Sequence, residues 1–253
     1  MASEILTIPC RTDNYAYLVH TDAGTALIDA PDAAPIIDAL EARGWGLDTI
    51  LITHHHNDHV AGIDALREKY GAFVMGPKAE ADRMPALDRA LEDGMYGPTV
   101  GTTAHAIAVP GHTLGHLAYH FPDLNAVFTA DSLMALGCGR LFEGTAEMMW
   151  DSLSRLAALP PETIVYSGHE YTAANARFAL TIEPDNADLI SRSQAITQAR
   201  ANGAPTAQVP LSLELATNPF LRANLPSVKA AIGMHDATDA AAFAEIRKRK
   251  DSF

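Results

Sequence analysis

Basic residues are scarce in this chain, cysteine is scarcer, and no long apolar run occurs. Lysine and arginine number 18 against 31 acidic residues, a net charge of −13. That balance argues against nucleic acid or an anionic membrane as partner. The two cysteines, Cys10 and Cys138, exclude a disulfide framework and form no close metal-binding pair, so both are expected to be reduced thiols. No stretch approaches the roughly 18–20 apolar residues of a membrane span. The first ten residues, Met1 to Cys10, lack both a basic start and a long apolar segment, so neither signal peptide nor anchor is expected. A cytoplasmic protein with no nucleic-acid, membrane or obligate protein partner is the expectation, and 253 residues suffice for a large core.

Short apolar strands alternate with helical stretches up to about residue 169, the pattern of an α/β sheet layered by helices. Strands are expected at 5–9, 14–20, 25–29, 49–52, 72–75, 105–109, 117–121, 125–129 and 163–166, and helices at 33–43, 59–70 and 146–158. Thr145 is a suitable N-cap for the last of these, and Pro160-Pro161 would close it. Beyond His169 the chain turns Ala-rich and helical over 173–182, 187–202 and 237–248. Residues 84–98, with Pro85, Gly94, Gly97 and Pro98, are expected to mix helix and loop. There is no internal repeat.

Against this background, residues 53–59 stand out: Thr53-His54-His55-His56-Asn57-Asp58-His59 packs four histidines and an aspartate into seven positions directly after the apolar run Thr49-Ile50-Leu51-Ile52. Imidazoles and carboxylates taken out of water need a partner, and a divalent cation at the edge of a sheet is the simplest one. The spacing H-x-H-x-D-H lets ligands two apart converge. Four donors on one turn would crowd a single ion, so two neighbouring ions are inferred, His54 and His56 on one and Asp58 and His59 on the other; pairs about 3.5–4 Å apart are common in hydrolases.

Further donors come from three later strand ends. His112 lies in Gly111-His112-Thr113-Leu114-Gly115-His116 after the run Ala106 to Val109. Asp131 follows Ala126 to Ala130, and its two oxygens suit a bridge. His169 follows Thr163 to Tyr166 through Ser167-Gly168. His116 is open between orienting a ligand and an ordinary core role, and His20, His105, His120 and His235 show no partner pattern.

These segments resemble the metallo-β-lactamase superfamily. Gly137-Cys138-Gly139-Arg140-Leu141-Phe142-Glu143-Gly144-Thr145, Gly168-His169-Glu170-Tyr171-Thr172, Thr217-Asn218-Pro219-Phe220-Leu221-Arg222 and the basic end Lys250-Asp251-Ser252-Phe253 narrow the resemblance to the glyoxalase II, or hydroxyacylglutathione hydrolase, family over nearly the whole chain. The resemblance implies a four-layer αββα sandwich at 1–169, catalytic, and a smaller helical, substrate-binding domain at 170–253. It also implies two divalent metal ions, zinc first with iron or manganese also suited. One ion would sit on His54, His56 and His112, the other on Asp58, His59 and His169, with Asp131 bridging; His55 would not be a ligand.

The implied reaction is hydrolysis of S-(2-hydroxyacyl)glutathione thioesters, typically S-D-lactoylglutathione, to D-lactate and glutathione. A hydroxide between the ions would be the nucleophile, since metals lower the pKa of water to about 7, with Asp58 and Asp131 as the catalytic carboxylates. By position, Arg140, Tyr171, Arg247 and Lys250 match the family's glutathione contacts, and cations pair carboxylates directly. One position departs: many relatives place tyrosine where this chain has Phe142, removing one hydrogen-bond donor. The alternatives are a lactonase or other-thiol thioesterase of the same fold, or a persulfide dioxygenase.

Overall fold

The computed structural model describes residues 3–253, and the chain divides into two compact units. The first runs up to Ala108 and takes in Gly115–Phe128; the second comprises Val109–Leu114 and Thr129–Phe253.

In the first unit the order is β1 (Ser3–Cys10), β2 (Asn14–Thr21), β3 (Gly24–Ile28), α1 (Ala33–Arg43), β4 (Thr49–Leu51), α2 (Asn57–Val60), α3 (Ile63–Tyr70), β5 (Phe73–Pro77), β6 (Arg89–Leu91), β7 (Tyr96–Thr99), β8 (Thr102–Ala108), β9 (Leu117–Phe121) and β10 (Ala126–Ala130). Strands β1 to β6 form one sheet in sequence order, antiparallel from β1 to β3 and parallel from β3 to β6. Parallel neighbours need crossovers; α1 links β3 to β4, and α2 with α3 links β4 to β5. Leu18, Leu27, Ile36, Leu40, Ile50 and Val74 are fully buried in the core beneath these helices. Helix α1 starts where the Asp32 carboxylate accepts the Ala34 N–H and stops at Gly44, left-handed at φ 65°. Because β3 and β4 are parallel, the segments leaving their C-terminal ends, Asp29 after β3 and Thr53 to His59 after β4, emerge on the same edge of the sheet.

Two expectations are corrected here. The helix expected over 59–70 is interrupted at Ala61 and Gly62, giving α2 and α3. Gly62 donates to the Ala30 carbonyl at 2.8 Å, and a Cβ there would lie 2.9 Å from the Ala33 nitrogen. The close backbone approach, not helix propensity, decides that position. Residues 84–98, expected to mix helix and loop, contribute β6 and most of β7. The Asp88 carboxylate accepts the Val74 N–H at 2.8 Å, drawing β6 alongside β5.

Strands β7 to β10 form an antiparallel meander. In the second unit β13 (Ile164–Ser167) pairs antiparallel with β14 (Gln208–Pro210). The second unit also holds the small hairpin of β11 (Leu133–Met134) and β12 (Gly137–Cys138). Its helices are α4 (Ala146–Ala157), α5 (Thr172–Ile182), α6 (Ala187–Ala201), α7 (Leu211–Thr217), α8 (Pro226–Ala231) and α9 (Asp239–Asp251). Thr145 caps α4 by accepting the Met148 N–H. The three Ala-rich segments fold as α5, α6 and α9, with Lys248, Arg249 and Lys250 in the last turn of α9, where the helix dipole favours cations. Among the described residues no helix is long and apolar enough to cross a membrane.

Candidate metal centre

The donor loop in the first unit is fixed from its backbone outward. Ile52 donates its N–H to the Met75 carbonyl at 2.8 Å, its carbonyl accepts the Tyr119 hydroxyl at 2.6 Å, and the Thr53 carbonyl accepts the Leu117 N–H at 2.9 Å. The chain therefore leaves β4 in one register. His54 and His59 are completely buried, and His56 and Asp58 are half-buried.

Asp29 organises this loop, and it was not singled out from the sequence. It is 3% exposed, with φ 57°. One carboxylate oxygen accepts the Thr53 N–H at 2.8 Å; the other accepts the Thr53 hydroxyl at 2.8 Å and Nδ1–H of His59 at 2.8 Å. Nδ1 of His54 in turn lies 3.0 Å from the Thr53 hydroxyl, whose proton is committed to Asp29. Both imidazoles in their neutral form thus carry the proton on Nδ1 and present the Nε2 lone pair, the tautomer that can bind a metal through Nε2. Nε2 of His54 lies 3.0 Å from Nδ1 of His56, and the rings of His54 and His59 are centred 4.2 Å apart. Asn14 donates to the carbonyl of Asp58 at 3.1 Å and to its carboxylate at 3.0 Å, and the same carboxylate oxygen is 3.7 Å from Nε2 of His59.

The other two histidines of the region are now placed. His55 turns away to Glu80, which accepts both its backbone N–H and Nδ1–H at 2.8 Å and also the Gly115 N–H at 2.8 Å. His116 is fully buried and stacks on His54 at 4.7 Å, 16° from parallel.

In the second unit His112, Asp131 and His169 converge. Nε2 of His112 lies 3.3 Å from one oxygen of Asp131, and Nε2 of His169 lies 3.3 Å from the other. All three are buried, at 3%, 6% and 5% exposed. Nδ1–H of His112 donates to the Arg140 carbonyl at 2.8 Å, so the neutral ring turns its Nε2 lone pair toward an anionic oxygen. Two acceptors at that distance repel unless a cation is shared between them. The donor set therefore fits divalent ions, with Asp131 able to serve one on each side. Gly139 is required beside it: a Cβ there would lie 1.9 Å from the Asp131 carbonyl oxygen.

A cavity of about 460 Å³ opens on this cluster within the second unit, lined by His112, Asp131, Cys138, Arg140, Phe142, Tyr171, Arg247 and Lys250 among others. All four residues expected to bind substrate are on its wall. Tyr171 stacks on His169 at 4.8 Å, 6° from parallel, and Phe142, 63% exposed, sets its ring against His112 at 5.2 Å. Arg247 is buried, its fork committed to the Cys138 carbonyl at 3.0 Å and to Asp251 at 2.7 and 3.0 Å. Nζ of Lys250 lies 5.3 Å from the centres of both the Phe178 and Phe253 rings. Burial lowers its pKa to about 8, with Arg247, Arg177 and Arg140 acting the same way and Asp251 opposing. Burial pushes the Cys138 thiol up to about 11 despite Arg247.

Residues 11–169 match the model of the metallo-β-lactamase superfamily, and residues 170–253 match the hydroxyacylglutathione hydrolase C-terminus. Fold and donor set together place the protein in the class of metal-dependent hydrolases with the metallo-β-lactamase fold, here followed by a helical C-terminal segment. Hydroxyacylglutathione hydrolases from Roseobacter denitrificans and Cereibacter sphaeroides are 60% and 58% identical over 255 and 256 residues, covering 100% of this chain and of each relative. The chain belongs to the hydroxyacylglutathione hydrolase family. Among solved structures, that of ETHE1 from Myxococcus xanthus shares the fold, with TM-score 0.69 at 24% identity over 98% of this chain and 90% of that one.

Proposed function

We propose that this hydrolase cleaves S-(2-hydroxyacyl)glutathione thioesters, S-D-lactoylglutathione foremost, to D-lactate and glutathione, the glyoxalase II step of methylglyoxal detoxification in the cytoplasm. The observation that carries it is the cavity in which His112 and Asp131 share a wall with Arg140, Tyr171, Arg247 and Lys250. Donors for a Lewis acid thus adjoin cations suited to a substrate bearing two carboxylates. The names of the relatives favour neither the lactonase nor the persulfide dioxygenase alternative.

In this reading His54, His56 and His112 would hold one divalent ion and Asp58, His59 and His169 the other, with Asp131 available to both; zinc is the first candidate, with iron and manganese behind it. Bound there, the ions would supply a nucleophile from water at neutral pH and polarise the thioester carbonyl. The rest is the work of the chain. Asp29 holds His59 directly and His54 through Thr53, keeping both Nε2 lone pairs available. Asp58, held on one oxygen by Asn14, steers the attacking water and takes its proton. Lys250 and Arg140 attract the glutathione carboxylates, Tyr171 offers its exposed ring and hydroxyl, and Arg247 adds charge while keeping the Cys138 turn in place. The departing thiolate is a good leaving group and needs no strong acid. Residues 1–169 are then the catalytic domain and 170–253 the substrate-binding domain. Thioester loss with free-thiol release by the metallated protein tests the proposal.

A further inference from the structure

The hairpin at 133–138 is too short to satisfy its own backbone. Strands β11 and β12 have two residues each, paired Leu133 with Cys138 and Met134 with Gly137. Buried peptide groups need partners, and here they are side chains of the helical segment. Asn218 reaches the carbonyls of Met134 (3.2 Å) and Gly137 (3.0 Å), and Asn175 that of Ala135 (3.0 Å). Arg247 takes that of Cys138 at 3.0 Å, and the Leu136 N–H donates to the Glu214 carboxylate at 3.0 and 3.3 Å. Leu136 sits at φ 56°, a conformation a branched side chain holds only when its surroundings impose it.

Glu214 is the hub of this set. It is completely buried, accepts Nδ2–H of Asn218 at 2.8 Å, and pairs with the buried guanidinium of Arg192, which also donates to the Thr217 hydroxyl at 2.7 Å. The hairpin it grips lies between two parts of the reacting centre. On one side is Asp131; on the other, Gly139 donates to the Ser132 carbonyl at 3.0 Å and the Arg140 carbonyl receives Nδ1–H of His112.

We propose that Glu214 is a positioning residue for the metal centre: by accepting the Leu136 N–H it fixes the 133–138 hairpin, and through it the placement of Asp131, His112 and Arg140. The proposal rests on the metal-holding role of His112 and Asp131 given above. A carboxylate present only to neutralise Arg192 would be dispensable once the pair were replaced together, since buried pairs often yield to apolar substitutes without loss. An acceptor for Leu136 would not be.

Two double variants separate these roles in the full chain. Glu214→Gln with Arg192→Met removes the pair but keeps an acceptor for Leu136; Glu214→Leu with Arg192→Met removes both. The Leu variant is expected to show faster hydrogen exchange at the Leu136 amide, weaker metal retention against a chelator, and kcat/KM down about ten- to a hundredfold. The Gln variant should restore all three to near the wild-type values. Equal losses in both variants, or a Leu variant that keeps its metal and a protected Leu136 amide, would overturn the proposal. Should the Leu variant fail to fold, the Gln variant is read alone against the wild type: it is expected to keep metal retention and Leu136 protection near wild-type values, and loss of either in the folded protein overturns the proposal. Exchange and metal retention need no substrate, so they report on positioning even if the thioester assignment were to fail.

Discussion

The Asp29 carboxylate accepts Nδ1–H of His59 at 2.8 Å, and the pair is buried. That one bond sets the tautomer of a proposed metal donor and ties the end of β3 to the loop after β4. Asp29→Asn keeps the volume and tolerates the left-handed backbone, yet an amide oxygen that receives the proton of His59 turns the NH2 against the Thr53 N–H. Metal affinity is expected to fall about 10–100-fold, read by competition with a chelator; unchanged affinity would show that His59 is oriented by other contacts.

Phe142 is exposed at the mouth of the cavity and lies edge-on to His112. Phe142→Tyr adds a hydroxyl in solvent at little folding cost. If the ring flanks the thiol carrier, one neutral hydrogen bond, about 0.5–1.5 kcal/mol, should lower KM for a glutathione thioester roughly two- to tenfold at constant kcat. No change in KM would remove this position from the carrier site.

Lys250 has its pKa lowered to about 8, so it keeps its charge below that pH and loses it above. KM for an anionic thioester is expected to rise between pH 7 and 9 in the wild type, and to be higher but flatter across that range in Lys250→Met. The sign for stability is opposite. The unfolded amine titrates near 10.5, so between about 8 and 10.5 the unfolded chain binds more protons, and this group favours folding as pH rises through that window. Denaturation of both proteins at pH 8 and 10 checks the difference.

Neither thiol is poised to react. Burial raises Cys10 to about 12 and Cys138 to about 11, and the thiolate is the nucleophile. At pH 8 about one Cys138 in a thousand is ionised on that basis. Iodoacetamide should leave the folded protein unlabelled over hours and label both residues in denaturant. Fast labelling of Cys138 in the folded state would contradict this and reopen a role for it in chemistry.

How much of this was legible in the sequence follows the range of the interactions. The H-x-H-x-D-H run, the strand before it and the capped α4 are local patterns, and each lies where its residues indicate. Asp29 was invisible because a lone acid after Leu27-Ile28 acquires meaning only when β3 and β4 pair in parallel. Glu80 is likewise an acid whose partners lie 25–35 residues away, and the Leu136 amide that Glu214 accepts lies 78 residues away. The 133–138 hairpin has strands too short for any periodicity, and its conformation is imposed by Asn175, Glu214, Asn218 and Arg247. The break between α2 and α3 has the same origin, a backbone contact of Gly62 that no helical pattern encodes.

The most direct test is hydrolysis of S-D-lactoylglutathione by purified protein of known metal content, following thioester loss and free thiol together, beside a His54→Ala control. The account predicts turnover with two ions bound and its loss in the control. Two ions bound with no turnover would contradict the thioester assignment, and oxygen uptake with glutathione persulfide would then be the reaction to assay.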